Sequence, residues 1–515
     1  MQFNSWPFVF VFLPVTLLLF FLVPSGFRLA RKLVLVFASL VFYGYWKIDY
    51  VPLLLGSILF NFAVAEGIVR APQPRFSRLF LILGLVLNLL LLAYFKYANF
   101  GLSTLGSLLH RNVAQIDILL PLAISFFTFT QISYLVDVYR DRRVHYRFLD
   151  YALFIAFFPH LIAGPILRHW EIIPQFVEKE LRSSREDLAV GLVLFLFGLV
   201  KKVLFADSVA PCANAVYAAA NQSAPLTTFD AWLGTVAFAL QIYFDFSAYS
   251  DMAIGLARLF GIKFPANFDS PYQATSVIVF WERWHMTLTR FLREYVYFSL
   301  GGNRRGPLRQ VFNILATMLL SGLWHGAGWT FVLWGGLHGL YLIVAHQWRL
   351  VVQYLRWNLD HGIYRTASVL LTFLAVLVAW VFFRAPNFAV AENVLSSMIP
   401  LHGVTVPQRM IEPHGFWDHI LPHLGVRYLP VDLSAIERYD NTLYVVMALL
   451  AWCWFMPNSQ QVIAKYEPLL TPVARPALFY LKIDAKLGLA LGFLCFMVAR
   501  FGYTAEQTPF IYFHF

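Results

Sequence analysis

Residues 321–330 read SGLWHGAGWT, and His325 is the ionisable side chain in a stretch otherwise built of glycine, tryptophan and small or apolar residues. An imidazole can take a proton from a nucleophile and return it to a leaving group near neutral pH, which is the service acyl transfer requires. Gly322, Gly326 and Gly328 surround it, so backbone can approach closely and a helix is interrupted there. A hydrogen-bonded structural histidine is the other reading open at this point. Upstream, FWERWHMTLTRFLREY (280–295) holds His285 among aromatic and basic residues. Within the segment VFNILATMLL, Asn313 and Thr317 are the polar residues, and His338 follows in FVLWGGLHGL, where a structural role is the first reading.

Such groups have to be positioned by membrane helices. Of 515 residues, 59% are hydrophobic and 13% charged, and mean hydropathy is +0.64. A soluble domain carries about 25% charged residues, so the chain reads as an all-α polytopic integral membrane protein. A span needs roughly 20 apolar residues. Twelve candidates lie near 8–24, 33–47, 51–66, 79–95, 118–136, 188–206, 231–247, 311–324, 329–346, 367–385, 441–456 and 487–502. The first, with no basic start and no small-residue cleavage site, reads as a retained span. YALFIAFFPHLIAGPIL (151–167) is apolar but broken by prolines and a glycine, which predicts a re-entrant segment. No linker or repeat divides the chain, so residues 1–515 are expected to form one membrane domain, with an outward loop at about 386–440 as its largest extramembrane piece.

Charge supplies the orientation. With the N-terminus outside, the inward segments carry 29 Lys and Arg and the outward segments six. Basic residues favour the cytoplasmic side, so both termini are predicted periplasmic, in a bacterial inner membrane. The net charge of +11 then faces lipid headgroups or an anionic donor, and nucleic acid has no support. Cys212, Cys453 and Cys495 are scattered and imply neither a disulfide framework nor a zinc motif. His402, His414, His419 and His423 of the outward loop match no standard ligand spacing, so no metal site is expected.

Drawn as one helix, 277–298 is amphipathic and in-plane, with Glu282, Arg293, Arg290, Arg283 and Glu294 between about 0 and 120° and aromatics between about 160 and 280°. His285 falls near 300°, on the apolar side, where a satisfied boundary histidine is an open alternative. Before it come Asp245, Asp251, Asn267 and Asp269. Carboxylates this close to a span either pair, for example with Arg258 or Arg283, or line a polar cavity. Lys201, Lys202 and Asp207 close the span GLVLFLFGLVKKVLFAD, and the lysines either snorkel or sit inside the protein beside a cavity.

Several blocks give the chain a family resemblance: FFPHLIAGPILR (157–168), FGLVKKVLFAD (197–207), YFDFSAYSDMAIG (243–255), FWERWHMTLTRFLREYVYFSLGGNR (280–304) and LWHGAGWTFVLWGGLHG (323–339). In order along the chain, with FKYANFG (95–101) and the closing TPFIYFHF (508–515), they resemble the membrane-bound O-acyltransferase (MBOAT) family, in its bacterial alginate O-acetylation branch. Glu282, Ala248 and Glu294 depart from that family's usual residues, and Glu282 puts in doubt a role for its position in binding an anionic donor. The resemblance implies an MBOAT fold with a funnel at each face, His325 as principal catalytic histidine and His285 as a second. It places Asp251, Asn267, Asp269, Arg283 and Arg293 on the cytosolic side. With Asp207, Asn313 and His338 these are the candidate donor-binding or cavity-lining residues.

The implied reaction moves acetyl groups from a cytosolic donor, acetyl-CoA or an acyl carrier, across the membrane for O-acetylation of an exopolysaccharide. No bound cofactor is expected. A periplasmic SGNH-type acetyltransferase is the implied partner. The alternatives are D-alanyl transfer to teichoic acid, and a secondary transporter or flippase, a class that usually shows internal repeats.

Overall fold

In hydrocarbon every backbone N–H and C=O must be satisfied within the chain, and an α-helix achieves this segment by segment. The computed structural model is accordingly mostly helical, at 74% of the residues it describes. It describes residues 1–162, 164–177, 181–357, 361–401, 403–408, 426–429, 439–475, 477–504 and 510–511. Ile48–Arg70, Pro74–Leu108, Arg185–Asn221 and Gly362–Arg384 are long and apolar enough to cross a membrane; Phe8–Leu22 and Asn441–Phe455 are shorter apolar helices. The other segments expected to span are helical too: Arg28–Gly44, Ile124–Arg140, Thr228–Leu259, Pro307–His325, Trp329–Tyr354 and Ala485–Thr504.

Three local differences from the sequence reading have physical causes. The helix expected from 118 begins only at Ile124, because Pro121 and a left-handed Ala123 (φ 62°) precede it. The helix drawn over 277–298 is not continuous. It breaks after Val277–Arg283, because Trp284 is extended and His285 adopts φ 43°, and Met286–Phe291 then runs on into a wide turn, Leu292–Tyr297. The third is a small exception to the all-α expectation: strands Thr405–Pro407 and Arg427–Leu429 pair in parallel, Thr405 opposite Arg427.

By internal contacts the chain groups into two compact units, one of residues 1–199, 249–267 and 459–493, the other of 200–248, 268–458 and 494–515. In the first, amide side chains tie three helices together. Ser57 Oγ donates to Gln131 Oε1 at 2.8 Å, Asn61 Nδ2 donates to the same oxygen at 2.9 Å, and Asn88 Nδ2 donates to Asn61 Oδ1 at 2.6 Å. The segment 151–167 is broken as its prolines require, into Phe148–Ala156 and Phe158–Leu161. Its described residues are buried, which is the condition under which membrane-depth backbone can leave the helix.

The second unit is organised by a helical hairpin, Pro307–His325 against Trp329–Tyr354. Its crossing admits no side chain: a Cβ on Gly335 would lie 2.2 Å from the Met318 carbonyl oxygen, and one on Gly322 2.2 Å from that of Phe331. Gly335→Ala is therefore expected to overpack the crossing and cost about 1–3 kcal/mol. Chemical unfolding of the purified protein in detergent micelles measures it, and an unchanged midpoint would contradict this packing.

Candidate active site

His325 is the last residue of Pro307–His325, and the Gly326 N–H closes that helix by donating to the Gly322 carbonyl at 3.3 Å. The turn at Gly326–Gly328 leads directly into Trp329–Tyr354, so the imidazole is held where two helices meet. It is 2% exposed. Its ring centroid lies 4.8 Å from Trp324, 4.9 Å from Trp334 and 5.4 Å from Phe383, all near edge-to-face. Asn313, Thr317 and Ser321 precede it at four-residue steps and are likewise buried. These four residues share one face of the helix, so a polar strip of about 18 Å leads to His325.

The left-handed backbone at His285 turns that side chain inward. It is fully buried, 4.7 Å edge-on to Phe246 and stacked at 6.5 Å on Phe268. The wheel position near 300° assumed an unbroken helix and does not apply. Trp324 lies 6.1 Å from His285 and 4.8 Å from His325, so one indole contacts both imidazoles. Burial pushes the His285 imidazole down to about 3, so the ring is neutral at physiological pH. His338 joins the same aromatic cluster, 4.8 Å from Trp334, with its Nδ1 accepting from Trp281 Nε1 at 3.2 Å.

The other candidates have local partners. Asn313 Nδ2 donates to the Gly302 carbonyl at 2.8 Å. Asp269 Oδ1 accepts from Asn458 at 3.0 Å, and its N–H donates to the Arg283 carbonyl at 2.9 Å. Arg283 is half-buried; Arg293 and Glu282 are exposed. Asp251 and Asn267 belong to the first unit, Asp251 accepting from Ser459 and Gln460 and Asn267 donating to Ser250. Arg258 pairs with Asp187 at 2.8 Å. Lys202 is buried, not snorkelling, and bridges Asp207 at 2.8 Å and Asp245 at 3.0 Å.

The residues missed at the sequence level are the partners. Asp245 Oδ2 accepts from the Ile511 N–H at 2.7 Å, and Phe510 packs 5.9 Å from Phe246, so described C-terminal residues reach the ring that covers His285. Ser321, buried one turn before His325, is a further residue the sequence reading did not single out. The four-residue spacing back from His325 was the signal available for Ser321. Among the described residues no group of three or more His, Cys, Asp or Glu is placed to hold a metal ion. The four histidines of the outward loop lie outside those residues.

Residues 83–382 match the membrane-bound O-acyltransferase family. The chain is 37% identical over 542 residues to a peptidoglycan O-acetyltransferase of Helicobacter pylori, covering all of this chain and 97% of that protein. It is 43% identical over 404 residues to a probable alginate O-acetylase AlgI of Pseudomonas aeruginosa, covering 77% of this chain and 75% of the other. A teichoic acid D-alanyltransferase of Streptococcus thermophilus is 27% identical over 246 residues, 44% of this chain and 57% of that protein.

The neutral His285 makes a prediction about acid stability. Its folded value of about 3 lies below the ordinary 6.5, so the unfolded chain binds the extra proton first. Stability from this group is complete above pH 6.5 and falls as pH drops from there towards 3. His285→Gln should flatten that part of the stability–pH curve measured by thermal unfolding. A variant as acid-sensitive as the parent would show that His285 is not held neutral.

Proposed function

The chain belongs to the membrane-bound O-acyltransferase family, and on that premise we propose that it transfers acetyl groups from a cytosolic thioester, acetyl-CoA or an acyl carrier, towards polysaccharide hydroxyls outside the inner membrane. The observation that carries this reading is the placement of His325: buried at the end of a polar helix face, with His285 on the same indole. His325 takes the proton of the acceptor hydroxyl as its oxygen bonds to the acyl carbon. The carbon–sulfur bond then breaks and the proton passes to the departing thiolate. His285, neutral and enclosed, orients the thioester.

Twelve crossings with both termini periplasmic put the 29 inward Lys and Arg beside the anionic donor. A polymer outside and a donor inside need such a route, and a periplasmic SGNH-type acetyltransferase is the partner that receives the group. Acetyl transfer is favoured over D-alanyl transfer because the similarity to the peptidoglycan O-acetyltransferase runs the length of the chain at 37% identity, whereas the D-alanyltransferases match about half of it at 24–27%. A transporter usually shows internal repeats, and none is visible in the sequence. The one-domain reading of 1–515 accompanies the proposal.

His325→Ala should abolish O-acetylation of the cell's polysaccharide while leaving the protein's membrane abundance normal. Ester release from isolated alginate-like polymer and from peptidoglycan, assayed separately, reads the acceptor as well. Normal acetyl content in both polymers of that variant would sink the assignment. Transfer by the parent protein in detergent, with no gradient present, excludes transport.

A further inference from the structure

His338 sits in the GLHG stretch of Trp329–Tyr354, fully buried among aromatic rings: Trp334 at 4.8 Å, Trp281 at 5.1 Å and Phe280 stacked at 6.0 Å. A hydrogen bond from Trp281 fixes its protonation. An indole N–H can only donate, so Nδ1, which receives the Trp281 Nε1–H at 3.2 Å, carries no hydrogen. The ring is therefore the neutral tautomer with its proton on Nε2.

That Nε2–H makes no hydrogen bond among the described residues, and neither does the buried indole N–H of Trp334. Buried polar groups in folded proteins are nearly always paired, so an orphan calls for an explanation. Here one nitrogen is used to aim the other. Trp334 is also the neighbour of the base, its ring 4.9 Å from His325 and 4.8 Å from His338. A proton acceptor and an unspent proton donor thus flank a single indole.

We propose that His338 is a catalytic residue that donates a hydrogen bond from Nε2 to the carbonyl oxygen of the acyl group, with Trp281 as the positioning residue that sets its tautomer. This rests on the acyl-transfer reading. When the acceptor oxygen bonds to the acyl carbon, the carbonyl π electrons move onto oxygen and return as the carbon–sulfur bond breaks. The travelling proton goes from the acceptor hydroxyl through His325 to the thiolate, and His338 keeps its own. A preoriented donor in an apolar enclosure acts most strongly where charge develops, since no water screens it.

The test uses the full-length protein in detergent together with its periplasmic acetyltransferase partner, with acetyl-CoA as donor and alginate oligosaccharides or muropeptides as final acceptors. His338→Phe keeps the ring stacking and removes the donor; it should lower kcat by about 100- to 1000-fold, with KM for acetyl-CoA changed less than about threefold. His338→Gln keeps an N–H and should recover about tenfold of that loss. Trp281→Phe should lower kcat less, and the imidazole 15N shifts of His338 should pass from the Nε2–H form in the parent to a mixture. Full kcat in a folded His338→Phe, equal losses in the Phe and Gln variants, or an Nδ1–H parent ring would each overturn the proposal. A parent protein inactive towards acetyl-CoA counts instead against the acyl-transfer reading, and the tautomer spectrum still decides the donor's geometry by itself.

Discussion

The crossing of Pro307–His325 with Trp329–Tyr354 is the contact on which the site depends. Backbone meets backbone there, with Gly335 against the Met318 carbonyl and Gly322 against that of Phe331. Without a hydrophobic drive between helices in lipid, close approach through small residues is what gives packing its strength. The approach fixes how Trp334 stands to His325 on one side and to His338 on the other. A side chain at either glycine would force the helices apart and carry the imidazoles with them.

Around that crossing the second unit spends its buried polarity economically. Most of the enclosure is aromatic: Trp324, Trp334 and Phe383 on His325, Phe246 and Phe268 on His285, Trp281 and Phe280 on His338. Such walls exclude water and leave electrostatics strong. Charge is admitted where it is compensated, as in Lys202 between Asp207 and Asp245. Removing one member of that set would leave a buried ion without its counter-charge, the costly case for a buried pair. Asp245 also receives the Ile511 N–H, which couples the ion cluster to the C-terminal residues beside Phe246.

Much of this was legible in the residues. Apolar length and charge asymmetry announced membrane helices, because the cost of bare backbone and of charge in hydrocarbon is large and local. His325 stood out since an ionisable group in such a run needs a reason, and the broken segment at 151–167 was readable from its prolines. Illegible were features that depend on one backbone angle or a distant partner. A periodicity argument assumes a continuous helix, so it could not see the left-handed His285 or where its ring would point. The Trp281–His338 hydrogen bond joins residues 57 apart, and nothing in either local sequence announces the other.

The sequence by itself therefore determined the class of the protein, its mostly helical build, its family and the histidine proposed as its catalytic base. These follow from hydropathy, backbone breakers and ordered motif blocks, properties that each segment carries alone. Only the tertiary structure decided which side chains share a space: that one indole contacts both His285 and His325, that a second stands between His325 and His338, and that Trp281 dictates which nitrogen of His338 holds the proton. Those relations arise from helix packing, where ångström-scale approach at two glycines sets geometry that no linear pattern encodes.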